Sequence, residues 1–338
     1  MKNIKLDVKD KKILYELMEN ARFSYCTIGK NIQLSREMTA HKIKRMQKLG
    51  VLKGFTAHIF KPLVGMNTQY ELFINLQSPK NEKDNIIEEL VSHPDTLMVA
   101  ETEGWFNLHI IFCAKDRFHS WEVFEFIRQI CKLDNNFEFT ITAKNRFASR
   151  LFFLENLDYK SPKKNYKDAF QDIFLKHRLM KEESVELNET DYKILNALRE
   201  DSRIPLKVLG KKLGSASNSI KFRIIRMIKE GVLYSFTPVI DFKKLGFDEY
   251  FLLLRLNGDS NQKAKIVNFI SKNKKTYLAN SIIGKWDHKF ILFSKSKDQI
   301  LDFISEILEE FPDSIARYDL LWMTKIHKLV SYPELGDS

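Results

Sequence analysis

At 338 residues, with 44% hydrophobic and 12% aromatic side chains, the chain is long enough for two or more domains with proper cores and too apolar to be disordered. A net charge of +11 and a pI near 9.3 favour a polyanionic partner. The longest apolar runs, such as Phe251-Leu252-Leu253-Leu254, are too short to span a bilayer, and the N-terminus leads into an amphipathic helix rather than a signal peptide. Cys26, Cys113 and Cys131 stand far apart, with no Cys-x-x-Cys or Cys/His cluster, so no metal site is expected. These features fit a cytoplasmic protein with no membrane partner.

The first element is a helix with Ile13, Leu14 and Leu17 on one face, behind Asp10 in its first turn. A short second helix carries Ile28 and Ile32, with Thr27 near its start. Ser35 stands as the N-cap of a third helix over 36–49, and Gly50 supplies its stop before a strand over 51–56. This order is a helix-turn-helix followed by a strand. On the third helix Thr39, Ile43 and Met46 should face inward, and Arg36, Ala40 and Lys44 outward, with Glu37, His41 and Lys48 beside them. A solvated basic face is the plain reading of one such helix. Small, polar and basic side chains also suit a helix entering the major groove, where basic groups hold phosphates and short polar groups reach base edges.

A strand over 68–77 follows the turn at Pro62 to Gly65. A helix over 81–92 ends before Pro94. Strands over 96–102 and 105–114 flank Gly104 as a hairpin, a helix covers 121–130, and a strand over 137–144 closes the set. Strand, helix, strand, strand, helix, strand is the ferredoxin-like arrangement: an antiparallel sheet with helices on one face. Its other face would be bare, so it should meet another sheet or domain. The polar, basic, Pro-containing stretch around 159–167 reads as a linker, with a helix expected over 168–180, serving as tether or phosphate-contacting arm.

Then the chain repeats itself. Residues 6–56 recur at 187–237 without a gap: Leu6, Asp10, Lys12, Ile13, Leu14, Leu17, Glu19 and Arg22 find Leu187, Asp191, Lys193, Ile194, Leu195, Leu198, Glu200 and Arg203. Such a period is too long for a solenoid and marks a duplicated multi-element unit. The second third helix turns Ile220, Ile224 and Met227 inward and Ser217, Asn218, Lys221 and Ile225 outward. Strands over 250–256, 276–283, 286–293 and 315–324 and helices over 262–271 and 298–309 repeat the ferredoxin-like order around Gly284. The fold class is therefore α+β: two copies of a winged helix-turn-helix and a βαββαβ domain. The expected boundaries are 1–60, 61–146, a linker over 147–186, 187–241 and 242–332.

Leu6-Asp7-x-x-Asp10-x-Lys12-Ile13-Leu14, with Arg22, Leu34-Ser35, Arg45-Met46 and Gly50-Val51-Leu52, resembles the N-terminal signature of the Lrp/AsnC (feast/famine) transcription regulators. The βαββαβ half, with Gly104-Trp105-Phe106-Asn107 in its hairpin, resembles that family's effector-binding and oligomerisation domain. The resemblance covers nearly all of the chain outside the linker. It implies two members fused in tandem, an intramolecular pseudo-dimer with two reading heads, double-stranded DNA as partner, and further homo-oligomers through the ferredoxin-like domains. It also implies an amino-acid effector near Gly104, Asn107, Gly284 and Asp287.

Departures from the family pattern are His41 and Phe222, where relatives usually carry a base, and Asn107, where they carry an aspartate. The second copy has Gly214-Ser215-Ala216 where the first has Gln33-Leu34-Ser35, which leaves its helix cap unclear. Because the heads differ, the expected operator is asymmetric.

The DNA-contacting set is read as Ser35, Arg36, Glu37, His41, Lys42, Lys44 and Arg45 in the first copy and Ser217, Asn218, Lys221, Arg223 and Arg226 in the second. Of these, Lys42, Lys44, Arg45, Arg223 and Arg226 are assigned to phosphates or to structural roles near the helix.

Two other readings stay open. Siroheme decarboxylases resemble Lrp/AsnC proteins, and some are fused pairs of about this length. They hold tetrapyrrole carboxylates with His and Arg/Tyr residues. The hairpins here read Glu101-Thr102-Glu103-Gly104-Trp105 and Ser281-Ile282-Ile283-Gly284-Lys285, without such a clamp. The other alternative is a scaffold or oligomerisation protein. The histidines are scattered, with no His-Glu-x-x-His, Gly-x-Ser-x-Gly or Walker-type loop, so neither enzyme activity nor a cofactor is expected.

Overall fold

The computed structural model describes residues 4–147, 152–154, 157, 159 and 185–336. Most of the linker, including the helix expected over 168–180, lies outside the described residues. The chain divides into two compact units, and each draws on both copies. One holds Met1–Asn67, Asn156–Leu245 and Val330–Ser338; the other holds Thr68–Glu155 and Gly246–Leu329.

The first unit contains α1 (Val8–Glu19), α2 (Tyr25–Ile32), α3 (Arg36–Lys48) and β1 (Leu52–Ile59). Their counterparts are α6 (Glu189–Glu200), α7 (Leu206–Lys212), α8 (Ser217–Lys229) and β6 (Leu233–Ile240). Helix α1 starts in a reciprocal cap: Asp7 accepts from the Asp10 N–H at 2.8 Å and Asp10 accepts from the Asp7 N–H at 3.0 Å. Asn188 and Asp191 repeat the device on α6. Helix α2 is capped by Ser24, which accepts from the Thr27 N–H. Ser35 caps α3 as expected from the sequence, and Gly50 follows it at φ +68°, a conformation that favours glycine.

Strands β1 and β6 form an antiparallel two-stranded ribbon. Thr56 lies opposite Thr237, its own counterpart, so the register is centred on equivalent residues. Contacts on either side are reciprocal: the Ala21 N–H donates to Phe236 O and the Ser202 N–H to Phe55 O. Arg22 donates to Ser202 O while Arg203 donates to Ala21 O and Phe23 O.

The second unit is a closed eight-stranded barrel with four strands from each copy. The first copy gives β2 (Thr68–Ile74), β3 (Thr96–Glu103), β4 (Leu108–Ala114) and β5 (Phe137–Phe147), with α4 (Lys80–Ser92) and α5 (Arg117–Cys131). The second gives β7 (Asp248–Leu256), β8 (Thr276–Ile283), β9 (His288–Ser294) and β10 (Ile315–Leu329), with α9 (Ser260–Lys272) and α10 (Lys297–Glu310).

Each half keeps the ferredoxin-like order. The halves close on each other where β5 pairs β8 and β10 pairs β3. That closure covers the face expected to be bare and removes the sheet edges. It also explains why β5 and β10 run past the ends expected at 144 and 324. Helix α5 begins ahead of its 121–130 stripe, at Arg117, and Asp116 caps it by accepting from the Phe118 and His119 N–H groups.

The apolar run in β7 now has a physical reason. Leu252 and Leu254 lie in the helix-covered core, while Phe251 and Leu253 fill the barrel interior, so both faces are buried.

Candidate nucleic-acid interface

The helix-turn-helix pairs hold their third helices by the same inner contacts. Thr39, Ile43 and Met46 are buried on α3, and Ile220, Ile224, Met227 and Ile228 on α8. Beneath each lies a fully buried acid from the first helix. Asp10 takes Lys42 at 3.1 Å and Arg45; Asp191 takes Arg223 at 3.0 Å and Arg226. A buried carboxylate is tolerated only when its charge is matched and its lone pairs are filled, and both conditions hold here. Lys42 also binds Asp7. Burial pulls the Lys42 ammonium down, but the bonds to Asp7 and Asp10 outweigh it and hold it above the ordinary lysine value. Burial likewise pushes the Asp7 carboxyl up, and Lys42 together with the backbone N–H groups of Asp10 and Lys9 more than reverses that.

The structure therefore divides the sequence-read set. Arg36, Glu37, His41 and Lys44 are exposed on α3, as are Asn218 and Lys221 on α8. Ser35 is exposed and its hydroxyl caps the Met38 N–H at 3.1 Å. Ser217 is only half-buried, and so is Ala40, which the helical pattern had turned fully outward. Lys42, Arg45, Arg223 and Arg226 are tied to the buried acids, and Lys42 keeps just 13% of its side chain exposed. Their signal was an acid in another helix, far away in sequence. Lys48 and Lys229, in the last turns of the two helices, are exposed cations that extend the basic face, as are Lys207, Lys211 and Lys212 on α7. Ala216 gives α8 no side-chain cap.

The four residues read as an effector site are engaged with neighbouring segments of the barrel. Asn107 accepts from the Leu76 N–H at 2.8 Å and donates to Leu76 O at 3.0 Å. Asp287 accepts from the Leu256 N–H at 2.8 Å and from Arg255 at 3.1 Å. Gly104 sits at φ +135°, where a Cβ would stand 2.8 Å from Leu320 O; at Gly284 a Cβ would stand 2.9 Å from Phe139 O. Close backbone approach is a sufficient reason for glycine in each hairpin.

A second buried charge set lies inside the barrel. The Glu71 carboxylate, fully buried, meets Lys289 Nζ, His109 Nε2 at 2.9 Å and Thr142 Oγ1 at 2.6 Å. Burial pushes Glu71 up, yet Lys289 and His109 hold it well below the usual carboxylate range. Burial pushes His109 down to about 4 against the pull of Glu71, so its imidazole is neutral near pH 7 and donates through Nε2. Copy one supplies the acid and the histidine, and copy two the ammonium.

Among the described residues no helix is long and apolar enough to cross a membrane.

Comparison with known proteins matches both helix-turn-helix segments. Residues 6–47 match the AsnC-type helix-turn-helix domain, and residues 187–234 match a winged helix-turn-helix DNA-binding family. An HTH-type transcriptional regulator of Pyrococcus furiosus is 29% identical over 126 residues, 37% of this chain and 84% of the relative. One from Mycobacterium tuberculosis is 28% identical over 141 residues, 42% of this chain and 94% of the relative. Across the whole chain, the fold is similar to that of the siroheme decarboxylase NirDL. The TM-score is 0.63 at 12% identity, covering 97% of this chain and 94% of that one.

Proposed function

Starting from a chain that is of Lrp/AsnC type with two helix-turn-helix regions, we propose a cytoplasmic, sequence-specific regulator of transcription that binds double-stranded DNA with both heads. In this reading the two copies act as an intramolecular pseudo-dimer. Segments 1–60 and 187–241 bind DNA, and 61–146 and 242–332 form the effector and oligomerisation part. The observation that carries it is the β1–β6 ribbon centred on Thr56 and Thr237, with a buried-acid lock under each third helix. Two heads so related suit two half-sites on one duplex. The exposed Arg36, Glu37, His41 and Lys44 then face one half-site, and Asn218 and Lys221 the other, so the operator is asymmetric. Lys48 and Lys229 contact phosphates.

The test is binding of the purified protein to a pool of genomic duplex fragments across a salt series, with footprinting of the retained ones. Specific, asymmetric footprints with a steep salt dependence are expected; weak, unselective binding at every salt concentration would defeat the reading. Equilibrium dialysis against a panel of amino acids tests the effector: one saturable binder would support it, and no saturable binding would remove it.

A second reading rests on the whole-chain similarity to NirDL, which would make this chain a tetrapyrrole enzyme. Its carboxylate-holding groups would have to come from near the hairpins. There Glu101 is already engaged by Lys83 at 2.7 Å and His327 at 2.8 Å, and like charges repel. Addition of siroheme to the protein should leave the absorption spectrum unchanged; a saturable shift would favour the enzyme.

A further inference from the structure

Phe222 is 72% exposed, more than any other large apolar side chain among the described residues. It lies two residues beyond buried Ile220, and two before buried Ile224, so at about 100° per residue its ring points away from the core. No packing in the second helix-turn-helix accounts for an aromatic ring there. Its counterpart on α3 is His41, also exposed, so the position is solvent-facing in both copies but apolar in one alone. Asn218, one turn earlier on the same face, and Lys221 beside it are exposed as well.

We infer that Phe222 is a specificity-determining residue, packing its ring on the C5-methyl group of a thymine in the half-site that α8 reads. The inference rests on the DNA-binding reading above. In the major groove an A·T pair presents one apolar group, the thymine methyl, and phenylalanine has no donor or acceptor with which to read anything else. Asn218 carries the amide that pairs in bidentate fashion with adenine N6 and N7. Together they give the second half-site an A·T preference that the first, facing Glu37 and His41, does not share. A methylated cytosine offers the same group in the same groove, so the shared chemistry is a C5-methylated pyrimidine. Thymine is the source proposed.

The test uses the full-length protein and a fragment selected by footprinting. Each thymine under the second head is replaced singly by deoxyuridine, which removes only the methyl. One replacement should weaken binding about 3- to 5-fold, the worth of one buried methyl group. Phe222→Ala should bind the thymine and deoxyuridine duplexes alike, at the weaker level, while Phe222→Leu should keep part of the difference. Phe222 is exposed, so the variants are expected to fold; a melting curve checks this. Equal binding of every deoxyuridine duplex by an otherwise selective protein overturns the inference and leaves the regulator reading standing. A dependence appearing only when cytosine is replaced by 5-methylcytosine overturns the thymine assignment. A Phe222→Ala protein with changed oligomeric state and unchanged thymine discrimination assigns the ring to a protein contact instead. If no selective fragment exists, both readings fall together.

Discussion

On α3 the core-facing side chains are Thr39, Ile43 and Met46, over an acid held by Lys42 and Arg45; on α8 they are Ile220, Ile224 and Met227, over an acid held by Arg223 and Arg226. The outer faces do not correspond: Arg36, Glu37, Ala40 and His41 stand where the second copy has Ser217, Asn218, Lys221 and Phe222. The barrel departs from that division: His109 in copy one and Lys289 in copy two hold equivalent register positions, and both are buried. Packing constrains what faces inward in each head, because a change there costs stability. What faces water has been free to differ, and in a regulator it is the outer face that chooses the DNA.

The comparison breaks most severely inside the barrel. Lys289→Met leaves Glu71 buried without its ammonium and should cost about 3–5 kcal/mol in urea unfolding. Adding Glu71→Gln should restore much of that, because the uncompensated charge is gone. Acid sharpens the point. His109 has a folded pKa below its unfolded value, so its contribution is full above about pH 6.5 and is lost as pH falls toward about 4. His109→Gln should flatten that limb of the stability–pH curve.

The outer faces come next. Arg36→Ala and Lys221→Ala should each weaken specific binding by about 1–3 kcal/mol and relax preference in different half-sites. Lys48→Ala and Lys229→Ala should instead weaken all sequences alike and lower the salt slope by about 1. A footprint in which both reader variants relax the same position would erase the difference between the heads.

Smaller effects lie at the helix starts. Ser35→Ala should cost about 1 kcal/mol by losing the cap on Met38, and Ala216→Ser should gain up to about 1 kcal/mol by supplying the one α8 lacks. Thermal unfolding of the two variants reads both. Smallest is Asp7 against Asn188. The Asp7 pKa is depressed, so its contribution is present above the ordinary carboxylate range and fades as pH falls through its folded value; Asn188 cannot titrate. Asp7→Asn should make the acid limb of copy one resemble that of copy two.

Much of this architecture was legible in the chain because it is local. Helical spacing marked the inward faces, Ser35 and Gly50 marked the ends of α3, and the glycines at 104 and 284 marked the hairpins. What escaped depends on register between distant segments. Asp10 reads only as a first-turn acid until α3 is laid over it, and then Lys42 and Arg45, assigned from the sequence to phosphates or to structural roles, are its partners. Glu71 in the alternating β2 strand looks like a surface residue until the second copy closes the barrel and brings Lys289 to it. For the DNA-facing set, charge pointed to the region, and burial separated the side chains that are free to reach from those already bound. Phe222 departs from the family pattern in the sequence, but composition alone does not show its exposure.

The β1–β6 ribbon joins strands of a single polypeptide. In a dimer of identical chains, every substitution enters the ribbon and both heads at once, and stability falls with dilution. Here a substitution enters once, and the pairing is unimolecular, so its strength does not depend on how much protein a cell makes. Dilution leaves the ribbon intact, and one head can drift in sequence while the other stays as it is.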